Sequence, residues 1–163
     1  MKIFIIEDDY SIVSILEDIV ERNGLGQICG DSCDDGLDLD KIMAINPDLI
    51  LVDLLMPEKD GIQVVRELKE RGCQSKFIMI SQVSSKEIIA KAYLAGIDFF
   101  INKPINLIEV RQVIDNISRQ LENEQALKTI RNVFSTQISQ PAPVVQEQDV
   151  QRRRIQYILS QLG

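Results

Sequence analysis

Acidic side chains, one hydroxyl and one lysine follow four short apolar runs, and together they could handle a phosphoryl group. They are Glu7, Asp8 and Asp9 after "KIFII", Asp53 at the end of "DLILVD", Ser81 at the end of "KFIMIS", and Lys103 after "DFFIN". Carboxylates crowded together repel one another unless a cation lies among them. Ligands that are all oxygen favour a hard cation, and Mg²⁺ takes one or two carboxylates plus phosphate oxygens. A carboxylate facing a metal, a lysine and a hydroxyl suits in-line phosphoryl transfer, with Asp53 as the nucleophile.

The apolar runs predict the strands that would bring these side chains together. Five runs, "KIFII", "QICGDS", "DLILVD", "KFIMIS" and "DFFIN", each precede a segment with helical periodicity. "DLILVD" barely alternates between polar and apolar residues, which is typical of a strand covered on both faces. Five strand–helix units imply a parallel sheet with right-handed crossovers and helices on both faces. The carboxyl ends of the strands then share one edge, where ligand sites of open α/β sheets lie.

Each of these residues also has a purely structural interpretation. Asp53 could cap the turn that follows it, Lys103 could be a surface lysine, and the acids after the first strand could be helix N-caps. The repetition of the pattern at four strand ends favours a site. A phosphatase of the haloacid dehalogenase type needs a second acid two residues after its nucleophile, where this chain has Leu55. A P-loop enzyme is excluded because the sequence has no Gly-rich lysine motif.

Four segments, "FIIEDD", "ILVDLLMPEKDG", "IMISQ" and "GIDFFINKP", resemble in order and approximate spacing the receiver domain of two-component response regulators. The resemblance covers residues 1–120. It implies an α/β, flavodoxin-like receiver fold, which is a doubly wound five-stranded parallel sheet of strand order 2-1-3-4-5, here with an extended C-terminal helix.

The same resemblance implies a magnesium site and a phospho-acceptor. Glu7 and Asp8 match the acidic pair that binds Mg²⁺, Asp8 directly and Glu7 through water. Asp53 matches the phospho-acceptor and also faces the metal, and the backbone carbonyl of Leu55 matches a further metal ligand. Asp9 extends past the acidic pair and is a weaker candidate.

Three further residues match positions that respond to the phosphoryl group. Ser81 resembles the switch hydroxyl, and Phe100 resembles the aromatic switch residue. Lys103 resembles the lysine that pairs with the phosphoryl group, and the resemblance implies a cis peptide bond between Lys103 and Pro104. Gln82 departs from the family pattern, since a small residue usually follows the switch hydroxyl, and it would crowd the inward path of Phe100.

Two positions that vary in the family with hydrolysis rate are occupied here by Leu55 and Val83. Neither side chain can orient an attacking water, so we expect slow autodephosphorylation. The chain is therefore expected to be a phosphoryl acceptor rather than an enzyme with turnover.

The charge of the chain and its cysteines narrow the possible partners and location. The net charge is −7, and residues 1–120 carry 13 Lys and Arg against 21 Asp and Glu, so this part should repel nucleic acid. No run approaches the ~20 apolar residues of a membrane span, and the N-terminus does not match a signal peptide. Cys29, Cys33 and Cys73 are expected to be free thiols, because without His they cannot complete a zinc site. A cytoplasmic protein without a membrane partner is predicted.

The remainder of the chain predicts a helix, a linker and the start of another domain. Apolar residues follow a helical period from Asn106 to Ile138, and the six-residue step from Leu121 to Leu127 indicates a stutter or a break near "ENEQA". Residues 121–140 are predicted as a helical extension, a possible dimerisation coiled coil; the alternative is a helix folded back on its own receiver. Residues 141–149 form a linker.

The last segment extends the resemblance. "MISQVSSKE", "GIDFFINKPIN" and "RRRIQYILSQLG" are similar to the glutamine-sensing DNA-binding response regulators of Gram-positive bacteria. Residues 150–163 would begin a truncated C-terminal, DNA-binding effector domain, with Arg152 to Arg154 at its leading edge. The 163 residues alone should not bind DNA strongly.

These expectations combine into a transcriptional response regulator. A sensor histidine kinase would phosphorylate Asp53, and Ser81 and Phe100 would relay the change. Homodimerisation would then change through the face of helix four, strand five and helix five, and through the C-terminal helix. The alternative is a stand-alone receiver that acts through a protein partner.

Overall fold

Strands and helices alternate along the part of the chain that the computed structural model describes, residues 1–33 and 36–138. The elements are β1 (Lys2–Ile6), α1 (Tyr10–Arg22), β2 (Gln27–Asp31), α2 (Leu39–Ile45), β3 (Leu49–Asp53), α3 (Gly61–Glu70), β4 (Lys76–Ser81), α4 (Lys86–Ala95), β5 (Phe99–Asn102) and α5 (Leu107–Ile138). All five predicted strands are present. Helix α2 begins at Leu39, because Asp38 caps it by accepting the backbone N–H groups of Asp40 and Lys41.

The five strands form one parallel sheet in the order β2-β1-β3-β4-β5, which confirms the predicted fold class. Strand β1 lies between β2 and β3, so successive strands are added on one side of β1 and then on its other side. In open α/β sheets the ligand crevice lies outside the carboxyl ends of the strands at such a switch point. Glu7 directly follows β1 and Asp53 ends β3, which places both at this crevice.

Two apolar layers cover the sheet. Helices α2, α3 and α4 pack on one face, where Phe4 and Ile6 of β1 point, and α1 and α5 pack on the other, where Ile3 and Ile5 point. All five residues of β3 are buried, Asp53 included. The absence of alternation in "DLILVD" is therefore explained by helices on both faces.

Helix α5 is continuous from Leu107 to Ile138, so the alternative of a helix break at "ENEQA" is wrong. Met1–Leu121 form one compact unit, and the chain continues in a second from Glu122. In the second unit, four large apolar side chains of α5 are exposed: Leu127, Ile130, Val133 and Phe134. The predicted linker 141–149, the predicted effector segment 150–163 and Arg152 to Arg154 lie outside the described residues. Among the residues that are described, no helix is long and apolar enough to cross a membrane.

Candidate functional site

Three carboxylates meet at the carboxyl edge of the sheet, beside the switch point. Glu7 is 2% exposed and Asp53 is 5% exposed, whereas Asp8 lies at the surface. One carboxylate oxygen from each of the three residues lies within 4.8 Å of the other two. The grouping expected from the strand ends is therefore present.

Lys103 lies between two of these carboxylates. Its Nζ is 3.0 Å from Glu7 Oε2 and 3.2 Å from Asp53 Oδ1, and only 12% of its side chain is exposed. Its backbone N–H donates to the carbonyl of Ser81 at 2.8 Å, and a cis peptide bond joins it to Pro104. The alternative of a surface lysine is therefore wrong.

The acids after β1 divide into different structural roles. Asp9 is the N-cap of α1 and accepts the backbone N–H of Ser11 at 2.8 Å, so the capping interpretation is correct for this residue. Glu7 instead turns back, and its Oε1 accepts the backbone N–H groups of Asp8 and Asp9 at 3.0 and 3.2 Å. These bonds hold one oxygen of Glu7 while Lys103 holds the other.

Ser32 is a supporting residue that no sequence motif indicates. It follows β2, is buried, and accepts the backbone N–H of Glu7 with its Oγ at 3.3 Å. The available signal is positional only, because β2 is the neighbour of β1 and its end reaches the same edge of the sheet.

Burial and the lysine act in opposite directions on the ionisation of the site. Burial raises the pKa of Asp53, while the charge of Lys103 and hydrogen bonds from Lys103 and the Leu55 N–H oppose this rise. The pKa of Glu7 is also raised by burial, against the hydrogen bond from Lys103. Burial lowers the pKa of Lys103, but the hydrogen bond to Glu7 and the charge of Asp53 outweigh it, so that this pKa is raised. The ammonium thus remains charged beside two partly desolvated carboxylates.

Gly61 allows α3 to begin directly against the end of β3. Its N–H donates to the carbonyl of Leu54 at 2.8 Å. A Cβ at this position would lie 2.1 Å from the carbonyl oxygen of Asp53 and 2.9 Å from Cα of Leu54. Asp60 caps the helix by accepting the N–H of Ile62. The sequence "DG" therefore starts the helix and leaves room for the backbone that carries Asp53.

The acids and Lys103 line a cleft of about 220 Å³. Its lining residues are Glu7, Asp8, Asp9, Asp53, Leu55, Gln82 and Lys103. The side chain of Leu55 is 58% exposed at this cleft.

The two predicted switch residues, Ser81 and Phe100, are not among the residues that line the cleft. Ser81 is fully buried at the end of β4, and its Oγ accepts the backbone N–H of Val83 at 3.0 Å. Phe100 is partly buried and packs with the core on the α4 side of the sheet, whereas Phe99 packs on the opposite side. The adjacent phenylalanines therefore point in opposite directions, as expected for a strand.

Comparison with known proteins decides the family. The model of the response regulator receiver domain matches residues 3–115. The chain belongs to this family. Receiver domains bind Mg²⁺ at an acidic pocket, and Glu7, Asp8 and Asp53 form such a cluster here. Members of the family interact with histidine kinases and can dimerise.

Relatives of this receiver include a transcriptional regulatory protein and a chemotaxis protein. It is 34% identical over 169 residues to the transcriptional regulatory protein GlnL of Bacillus subtilis, covering 100% of this chain and 53% of that protein. It is 29% identical over 114 residues to the chemotaxis protein CheY of Bacillus subtilis, covering 70% of this chain and 94% of that protein. The chain thus spans about half of the length of GlnL.

A solved structure supports the fold. The receiver is similar to a chain of the CheX–CheY–BeF3–Mg²⁺ complex from Borrelia burgdorferi, with a TM-score of 0.66, 24% identity, and coverage of 72% of this chain and 88% of that chain.

Proposed function

We propose that Asp53 accepts a phosphoryl group from the phosphohistidine of a sensor histidine kinase. The observation that carries this proposal is the buried carboxylate of Asp53 with the ammonium of Lys103 at 3.2 Å. An oxygen of Asp53 attacks phosphorus, the bond from phosphorus to the donor breaks, and the donor leaves with the electron pair. Lys103 is then positioned to neutralise charge on the phosphoryl oxygens, which is the main task of a protein in phosphoryl transfer.

The donor set fits Mg²⁺. Glu7, Asp8 and Asp53 offer only oxygen atoms, two of the three carboxylates are buried, and their oxygens are close enough to share one ion. In the proposed site Asp8, Asp53 and the backbone carbonyl of Leu55 would hold the ion, and Glu7 would hold it through water. The bound ion would offset the negative charge of the phosphoryl oxygens.

Ser81 and Phe100 are proposed to relay phosphorylation to the face of α4, β5 and α5. The Ser81 hydroxyl would turn from the N–H of Val83 to a phosphoryl oxygen, and Phe100 would move further inward beside α4. Large apolar side chains are exposed on both of these helices: Tyr93 and Leu94 on α4, and Leu107 and Ile108 on α5. A homodimer that uses this face and the exposed apolar residues of the second unit would bury them.

The proposed output is transcriptional, because the similarity to GlnL covers the whole chain. DNA would be contacted by an effector domain and not by the acidic residues 1–120. The alternative is a receiver that acts through a protein partner, which the similarity over 94% of CheY favours.

Incubation with acetyl phosphate and Mg²⁺ tests the phosphoryl-acceptor proposal. Intact mass spectrometry should show the gain of one phosphoryl group per chain, and Asp53→Asn should show none. Continuous turnover of a phosphoester without a stable phosphorylated form would instead indicate a phosphatase. The absence of any mass gain in the folded wild-type protein would refute the proposal.

The molecular mass in solution, with and without beryllofluoride and Mg²⁺, tests the dimer switch. We expect the dimeric fraction to change when beryllofluoride occupies the phosphoryl position. A monomer under both conditions would contradict the homodimer proposal while leaving phosphorylation of Asp53 unaffected.

A further inference from the structure

The segment that connects β3 to α3 carries Leu55 to the acidic cleft. Its backbone is closed on itself, because Leu55 and Asp60 form an isolated antiparallel bridge and the N–H of Gly61 donates to the carbonyl of Leu54 at 2.8 Å. The N–H of Leu55 also forms a hydrogen bond to the carboxylate of Asp53. The position of the Leu55 peptide therefore depends on where the backbone around Asp60 lies.

Lys59, the neighbour of Asp60, ties this segment to α3 by an ion pair. Its Nζ lies 2.6 Å from Glu67 Oε2, and the two side chains are only 28% and 30% exposed. The other carboxylate oxygen of Glu67 accepts the Nε2–H of Gln63 at 3.3 Å, so both oxygens are held. The hydrogen bond from Lys59 lowers the pKa of Glu67, which therefore stays ionised at neutral pH. The pair joins the segment to the body of a regular helix.

The charge of Lys59 and its ion pair should act in opposite directions on a cation at the acidic cleft. Lys59 and Asp8 line the same neighbouring cleft of about 600 Å³. A positive side chain there repels a nearby divalent cation, so the charge alone would weaken the binding of Mg²⁺. Holding the Leu55 backbone in place would strengthen it, because a ligand fixed in advance loses less freedom when it binds a metal. The direction of the change in Mg²⁺ affinity therefore separates the two effects.

We propose that Lys59 and Glu67 are positioning residues whose ion pair holds the Leu55 backbone in place and thereby raises the affinity of the acidic site for Mg²⁺. The inference rests on the metal site proposed above, in which the carbonyl of Leu55 is a ligand. Neither side chain is itself a ligand, and the pair acts through the backbone of Asp60 and Leu55. Residues that orient a metal ligand directly are commonly worth about tenfold or more in affinity, so we expect about fivefold from this less direct support.

Titration with Mg²⁺ alone, followed by the shift in thermal unfolding of the whole chain, tests the proposal. Lys59→Met, which keeps most of the apolar stem, should raise the Kd for Mg²⁺ about fivefold, equivalent to about 1 kcal/mol of binding free energy. Glu67→Gln should raise the Kd by a similar factor. The double variant should be about as weak as either single variant, because the pair acts as a unit. Lys59→Arg keeps the charge and can still reach Glu67, so it should bind Mg²⁺ like the wild type.

Two exposed residues provide matched controls for the change of charge. Glu70→Gln on α3 and Lys91→Met on α4 should leave the Kd for Mg²⁺ unchanged. Unfolding in EDTA separates a structural role from a positioning role, since a purely structural pair would lower the unfolding temperature of the metal-free protein and leave the Kd unchanged. Should Lys59→Met fail to fold, Glu67→Gln and Lys59→Arg carry the comparison.

An unchanged or lower Kd in Lys59→Met would overturn the proposal, and so would a Kd in Lys59→Arg as high as in Lys59→Met. Should Lys59→Met not fold, an unchanged Kd in Glu67→Gln would overturn it instead. A wild-type protein that binds no Mg²⁺ would refute the metal site on which the inference rests. Normal Mg²⁺ binding without any phosphorylation of Asp53 by acetyl phosphate would refute the acceptor function and leave the role of the pair intact.

Discussion

Lys103 should contribute much more to stability than a surface lysine in an ion pair of the same length. Replacing it by methionine removes the ammonium from between Glu7 and Asp53 but retains most of the apolar stem. At an effective dielectric constant of about 20, contacts of 3.0 and 3.2 Å each correspond to roughly 5 kcal/mol of attraction. Desolvation of the buried ions cancels several kcal/mol of this attraction, so we expect Lys103→Met to cost about 3 kcal/mol in metal-free buffer.

Lys91 offers a matched control. Its Nζ lies 3.0 Å from Glu87 Oε1, but the two side chains are 57% and 77% exposed. Exposed pairs contribute less than about 1 kcal/mol because solvent screens them and both side chains lose freedom. Lys91→Met should therefore change the free energy of unfolding only slightly, although the broken contact is no longer than that of Lys103.

Urea unfolding followed by circular dichroism in the presence of EDTA measures both losses. The slope of the free energy against urea should be the same in all three proteins, so that shifts of the midpoint report stability. Adding Mg²⁺ should reduce the loss in Lys103→Met, because a metal bound to the carboxylates replaces the missing positive charge. Equal losses for the two variants, or wild-type stability of Lys103→Met in EDTA, would refute the reasoning.

Three further predictions concern the residues around Asp53. Gly61→Ala should lower the free energy of unfolding by about 3 kcal/mol, because the new Cβ would overlap the backbone of Asp53 and Leu54. Gly24→Ala is the control, since no atom lies within 4 Å of a Cβ there and only the positive φ of +60° is unfavourable. It should cost about 1 kcal/mol in the same urea assay. Asp53→Asn should be more stable than the metal-free wild type at pH 7. Because burial raises the pKa of Asp53, the folded state binds the carboxyl proton more tightly than the unfolded chain does. The stability of the wild type should therefore fall as the pH rises through the raised pKa of Asp53. If Asp53→Asn showed the same dependence of stability on pH as the wild type, this prediction would be wrong. Once the donor is removed, the phosphorylated protein should keep its phosphoryl group for minutes or longer by intact mass, because Leu55 and Val83 cannot orient a water; loss within seconds would show otherwise.

The fold and the membership of the site could be predicted because both depend on local patterns. Apolar runs followed by helical periodicity imply β/α units, and right-handed crossovers leave few ways to assemble five of them. Residues that follow such strands must share one edge of the sheet, so Glu7, Asp8, Asp53 and Lys103 were predicted together without knowledge of any contact. The start of α2 has no such periodic signal, since the cap at Asp38 depends on two particular backbone hydrogen bonds.

The contacts within the site were decided only by the tertiary structure. Glu7 and Lys103 are 96 residues apart in the chain, and their ion pair depends on how β5 docks on β4 and how the acids after β1 turn. Asp9 and Glu7 lie in the same short acidic segment but have different roles. Asp9 caps α1 by accepting the N–H of Ser11, whereas Glu7 is buried and accepts the N–H of Asp9. The support from Ser32 and the close approach of Gly61 to Asp53 have no periodic signal, because they depend on how neighbouring elements pack.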